Sequence, residues 1–378
     1  MPRDRNFILK FGDMKISLFC NCRYLGTTGG TGWPVPADDF SSDIAQESYE
    51  TMLNQAEMAD QLGWNWVSVA EHHYAPFSIA PNPMVMAAAF SQRVKTAKIA
   101  LMGPDIPILN PVRVAEEFAM LDTLTGGRVI AGMMRGTPNE YVTYNINPNE
   151  SRDRFQESLK LIKMVWTEKQ PFGWQGRHYQ FRTISIWPRP KQTPHPPIFM
   201  SGSSKDSGKF AAENKVGIGF AVTTLAAASE AASYYRSVSR DIGWEPTKDD
   251  VVYRIPFHVA DTDDQAIEDL KVAGSTKFKG LGILNPDMMR VLRGTKYFSD
   301  DDNRHREAQS ASSELGDRIK CGQVLVGSPD TILNQIGNIR DKLGPGILDL
   351  ANAGQMGDKT TKSMELMATK VLPQIKDW

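Results

Sequence analysis

Short apolar runs alternate along this chain with longer segments whose apolar residues recur at helical spacing. Residues 14–20, MKISLFC, read as a first strand. Tyr49, Leu53, Ala56 and Leu62 then share one helical face, which Gly63 closes. Residues 64–74, WNWVSVAEHHY, begin as a buried second strand, with Trp66, Val67 and Val69 supplying aromatic and β-branched character. The same run ends polar, at Glu71, His72 and His73. Asn82-Pro83 opens a helix over 83–94, an N-cap followed by proline at the first helical position. A third strand is expected over 99–103. Asn110 caps the next helix, in which Val114, Phe118 and Leu121 share a face before Gly126. Residues 129–134 form a fourth strand, and Phe155, Leu159, Ile162 and Trp166 mark another helix. Strands at 198–201, 216–222, 251–259 and 346–351, with helices over 226–242 and 363–371, complete the series.

Two stretches break this rhythm. Residues 171–197 turn like a hairpin and are punctuated by proline, and 275–317 hold a charged, irregular run that fits no strand-helix unit. Eight strands alternating with helices predict an α/β fold, a single (β/α)8 TIM barrel over 1–378 with insertions at about 171–197 and 275–317. The same alternation permits a doubly wound sheet, but no GxGxxG follows the first strand to support it.

Composition narrows the setting. The chain has 378 residues, 41% of them hydrophobic, enough for one large barrel or two average domains. A net charge of -1 gives no reason to expect nucleic acid or an anionic membrane as partner. No apolar run is long enough to span a bilayer, and the first residues lack the apolar core of a secretory signal. Three cysteines do not make a disulfide framework, so a cytoplasmic location is expected.

The candidate chemistry sits where strands end, the usual ligand side of parallel α/β folds. His72 can take or give a proton, since a free imidazole titrates at about 6.5. His73, next in an extended chain, faces the other way and is expected to pair with a carboxylate of a neighbouring strand; Glu71 is a partner or a rim salt bridge. Adjacent strand residues chelate one ion poorly, and no HExxH occurs, so no metal is expected. Arg135 and Gly136, after the fourth strand, suit an anion approached closely by backbone, or else Arg135 pairs with Glu140 or Glu150. The turn SGSSKDSG at 201–208 leads into a helix whose N-terminus favours an anion. The glycine loop at 26–32 reads as a mobile rim, and Lys277, Lys279, Arg290 and Arg293 as a charged lid. Cys20 and Cys22 flank the end of the first strand, one of them a candidate to face the pocket.

EHHY at 71–74, NPMVMAAAF at 82–90, NPVRVAEEFAMLDTLTGGR at 110–128, VIAGMMRG at 129–136 and PHPPIFMSGSSKDSG at 194–208 follow one another in an order that resembles the bacterial luciferase-like flavin-dependent monooxygenase superfamily. The resemblance is dense over 16–221 and returns at VGSPDTI, 326–332, and VLPQI, 371–375. It implies a TIM barrel that binds reduced FMN (FMNH2) and uses O2 through a C4a-(hydro)peroxyflavin to oxidise a small organic substrate, by hydroxylation or a Baeyer–Villiger type reaction. It implies a separate NAD(P)H:flavin reductase as partner and a homo-oligomer, dimer or tetramer. Residue by residue, it makes His72 the catalytic histidine beside the flavin and sets Arg135 near the flavin phosphate, with Gly136. It makes Ser203 the best-matched phosphate contact, with Ser201, Gly202 and Ser204 around it. Met102 and Gly103 fall under the ring, and Met134 near its reactive carbon. Two rival readings stand beside it: an F420-dependent hydride-transfer oxidoreductase on the same barrel, and a non-catalytic flavin-binding subunit.

Overall fold

The computed structural model describes residues 14–27, 33–274, 292, 295–297, 314–375 and 378. Most of the glycine loop, the four lid cations Lys277, Lys279, Arg290 and Arg293, and the greater part of 275–317 lie outside those residues.

Eight parallel strands close on themselves: β1 (Lys15–Cys20), β2 (Trp66–Val69), β3 (Lys98–Asp105), β4 (Val129–Met134), β7 (Ile198–Ser201), β8 (Gly217–Phe220), β9 (Val251–Val259) and β11 (Ile347–Asn352). The ring is sealed where β11 pairs with both β9 and β1, and where β8 pairs with β9. Around it run α1 (Ser42–Gln61), α2 (Pro83–Arg93), α3 (Pro111–Leu124), α4 (Pro138–Thr143), α5 (Ser151–Thr167), α6 (Lys205–Asn214), α7 (Leu225–Asp241) and α8 (Asp263–Val272). The chain thus folds as the TIM barrel its alternation implies.

The period-two side-chain alternation of the strands builds two cores. Ile99, Leu101, Val129, Ala131, Leu348 and Leu350 point outward and are covered by the helices. Their neighbours Trp66, Ala100, Met102, Ile130, Phe199, Val252 and Ile347 point inward and fill the barrel. Asn82 and Asn110 cap α2 and α3 through their side-chain oxygens, each accepting two backbone N–H groups, with proline next in both.

One feature follows the reading of the sequence and two depart from it. The segment 171–197 contains a two-stranded antiparallel hairpin, β5 (Phe172–Gln175) with β6 (Gln180–Ile184), pinned to α5 by Glu157, which accepts from Trp174 Nε1 and the backbone of His178 and Tyr179. Beyond it, α9 (Leu315–Lys320) precedes a short ninth parallel strand, β10 (Leu325–Gly327), which pairs with the far end of β9 after β11 has run out; α10 (Pro329–Leu343) follows. The apolar run of β10 is too short to register as a strand by period. Finally, Cys20 and Cys22 are both buried, in the layer between strands and helices rather than at the mouth. Burial pushes the Cys22 thiol up to about 12, so it stays protonated and unreactive.

Candidate active site

The C-terminal ends of β2, β3 and β4 bring together two histidines and three buried carboxyls. His72 follows β2 with its ring edge-on to Phe77, 5.4 Å away, and 15% of its side chain exposed. Its Nδ1 lies 3.4 Å from Glu140 Oε1. Glu140 is fully buried and is also the third residue of α4, where its other oxygen accepts the Thr137 N–H at 2.8 Å and the Thr137 hydroxyl. Thr137 and Glu140 thus form a capping box, which fixes the carboxylate before it meets the imidazole.

His73 turns the other way, as the extended chain requires. It does not pair with a neighbouring strand: its Nε2 is 3.0 Å from Glu71 Oε1, on its own strand end, because both side chains project to the same side. Glu71 Oε2 in turn accepts the Asp105 N–H at 3.1 Å. Asp105 reaches this position because the β3–β4 register shifts between Met102 and Asp105, a bulge that re-aims the chain. Gly136, with φ +86, then closes over Asp105; a Cβ there would lie 3.1 Å from the carboxyl.

Burial, with Glu71 and Glu140 beside it, pushes the Asp105 carboxyl well above the usual carboxylate range. Burial also raises Glu71, partly offset by His73 and the Asp105 N–H. The fold therefore favours neutral Asp105. The stability this contributes is complete below the unfolded carboxyl's pKa and is lost as pH rises through the raised folded value. Asp105→Asn is expected to stabilise the protein at pH 8 by about 1–3 kcal/mol, the range for relieving one unpaired buried group. The gain should vanish near pH 4; a denaturation series across that range in which it does not shrink would refute the assignment.

Arg135 does not pair with Glu140, which goes to His72, or with Glu150, which bonds Arg154. Its Nη1 donates to the Tyr297 carbonyl at 2.6 Å, and its guanidinium lies 4.2 Å over the Tyr297 ring. The Tyr297 hydroxyl donates to the Gly136 carbonyl at 2.5 Å. Ser201 ends β7. Gly202 N–H bonds Gly219 O, and a Cβ at Gly202 would meet Ile218 at 2.8 Å, so packing alone requires that glycine. Ser204 caps α6 in a box with Ser207. Ser203, half-buried, has no side-chain hydrogen bond to another of the described residues. Met102 packs into the barrel core with Trp66 and Ile130, and half-buried Met134 packs on that core from the mouth. Gly103 lets β3 lie against β2, where a Cβ would sit 2.7 Å from Glu71 N.

Sequence reasoning named Glu140 only as an alternative partner of Arg135, gave Asp105 at the third strand end no assigned role, and passed over Tyr297. The spacing Thr137-x-x-Glu140 marks the cap of α4; nothing in the sequence places Tyr297 beside Arg135.

A family model described as luciferase-like monooxygenase matches residues 18–345. The chain belongs to the luciferase-like monooxygenase family. Among its relatives is the oxygenase component of the flavin-dependent trigonelline monooxygenase of Acinetobacter baylyi, 29% identical over 172 residues, which are 45% of this chain and 47% of that protein. The chain spans about half the length of the first curated relatives it matches. In structure it resembles the oxygenating constituent of 3,6-diketocamphane monooxygenase of Pseudomonas putida, in complex with FMN, at TM-score 0.74 and 20% identity, covering 96% of this chain and 98% of that one. It also resembles an F420-dependent secondary alcohol dehydrogenase, at TM-score 0.70 and 18% identity, covering 96% and 99%. The luciferase-like fold is therefore common to both flavin and deazaflavin enzymes, and the cofactor has to be argued from the residues.

Proposed function

We propose that this chain is the oxygenase component of a two-component, FMNH2-dependent monooxygenase acting on a small organic substrate, with reduced flavin delivered by a separate NAD(P)H:flavin reductase. The observation that carries this reading is the His72–Glu140 pair at the barrel mouth, an imidazole held at one nitrogen by a buried carboxylate and still partly exposed. The donor set suits a flavin phosphate: Ser203, the free first-turn N–H groups of α6, and Arg135. Bound reduced flavin supplies the electrons and the site of oxygen activation.

The chain's own residues supply position, dryness and proton control. Glu140 holds Nδ1 of His72, leaving Nε2 as the atom that exchanges a proton with the reacting group. Glu71 and His73 satisfy each other, and Glu71 anchors the bulged end of β3 under the site. Trp33 stacks on Tyr74 and donates to the His73 carbonyl at 3.0 Å, shielding this edge of the mouth from water.

Fluorescence titration tests the cofactor. Oxidised FMN is expected to bind more tightly than riboflavin, and Ser203→Asp to weaken FMN about tenfold or more through like-charge repulsion while leaving riboflavin unchanged. Photoreduced FMN should then consume oxygen more slowly when bound than when free. Tighter binding of F420 than of FMN, or reoxidation at the free rate, would overturn the proposal in favour of the hydride-transfer reading.

A further inference from the structure

The residues assigned above to flavin occupy the arc β2–β3–β4–β7. Across the ring, β9 and β11 carry a charged pair that this arrangement does not use. Arg254 Nε donates to Asp349 Oδ2 at 2.7 Å, and Ser68 Oγ donates to Asp349 Oδ1 at 2.7 Å. Arg254 is in register with Asp349, and Asp349 with Ser17, yet the guanidinium lies 3.5 Å over the ring of Phe19. The arginine therefore rises inside the barrel, one layer closer to the mouth. Its neighbour one layer down is apolar Val252, and that of Asp349 is Ile347.

Three observations make this pair more than packing. Asp349 is 1% exposed and the Arg254 side chain 19%, so the mouth meets the donors and not the carboxylate. Nη1 and Nη2 of Arg254 have no partner among the described residues. Phe19 stiffens the guanidinium plane and adds an apolar wall beside it. A buried ion pair is in general no more stabilising than apolar residues of similar volume, so stability gives no reason for this one.

We infer that Arg254 is a specificity-determining residue that anchors a neutral substrate by its carbonyl oxygen, through the donor edge left open by Asp349. The inference rests on the proposed function for the premise that the mouth takes a substrate. Charge decides between acceptors. Asp349 already neutralises Arg254, so a carboxylate would leave a net negative charge in a largely dry barrel whose mouth also holds the buried Glu140. A carbonyl oxygen accepts from the same fork without that penalty.

The test is saturation-transfer NMR on the full chain, with and without oxidised FMN, using cyclohexanone, cyclohexanecarboxylate and benzene as size-matched probes. Cyclohexanone is expected to bind at least about tenfold tighter than either of the others. Arg254→Lys, which keeps a cation for Asp349 but loses the planar fork, should abolish that preference, as should Arg254→Met if it folds. Asp349→Asn, which uncovers the charge, should shift preference to the carboxylate. The inference is overturned if the wild-type chain prefers the carboxylate, binds none of the probes, or keeps its ketone preference in Arg254→Lys. A ketone preference in a chain that fails to bind FMN would uphold Arg254 and sink the flavin reading; FMN binding with no ketone preference would do the reverse.

Discussion

His72→Ala is expected to slow substrate oxidation by about 10²–10⁴-fold, the usual share of a positioned general acid–base. Affinity for oxidised FMN should change little, because the proposed phosphate contacts lie at Ser203 and Arg135 and not at the β2 end. The reason for so large an effect is the pairing. Glu140 is fully buried and fixed by the Thr137 cap, so it presents a preset carboxylate to Nδ1. Few other groups at this end of the barrel can exchange a proton with a bound molecule: His73 is buried against Glu71 and Tyr144, and Asp105 lies under Gly136. The measurement is product formation with photoreduced FMN, read beside hydrogen peroxide released. Loss of product with oxygen diverted to peroxide fits a proton-handling His72. Equal loss of FMN binding would instead make His72 part of the cofactor cradle.

Gly132→Ala is expected to destabilise the fold by about 1–3 kcal/mol or more, the range for forcing a methyl group into a packed interior. A Cβ at Gly132 would lie 2.4 Å from the Leu101 carbonyl and 2.8 Å from Met102 Cα. Both are backbone atoms of β3, so no side-chain rotation relieves the clash, and the β3–β4 ladder that carries Asp105 and Arg135 must move. Gly316→Ala provides the contrast. Nothing lies within 4 Å of its added Cβ, and the site is inside α9, so the change should be neutral or stabilising by up to about 1 kcal/mol. Urea denaturation of the two variants checks the pair. Equal midpoints would show that β3 and β4 are not held as closely as their packing implies.

The strands and helices of the first half were legible because each carries its own local chemistry. Asn82-Pro83 and Asn110-Pro111 announce their helices through caps that depend on neighbouring residues alone. Val67, Val69 and Trp66 mark a buried strand by composition, and the polar Glu71-His72-His73 that follows marks its end. That His72 and His73 face opposite ways follows from the alternation of an extended chain. The strand β10 escaped the same reasoning because so short a strand has no period to detect; it exists because β9 outruns β11 and leaves an edge to cover.

The candidate site divides along the same line. Local pattern suffices for a barrel, for its strand ends, and for the presence of an imidazole, an arginine and a serine-rich turn among them. It does not reach which groups meet across strands. Glu140 belongs to the cap of its own helix as well as to His72, which lies 68 residues earlier in the chain. Tyr297 meets Arg135 from 162 residues away, and Asp349 joins Ser68 and Arg254 inside the ring. Such contacts depend on closure of the barrel, since strand tilt and register decide which inward side chains share a layer. A hydrophobic period marks the inward face of a strand but carries no information about the residue opposite it. Pairing, burial and the raised Asp105 carboxyl therefore arise with the tertiary fold.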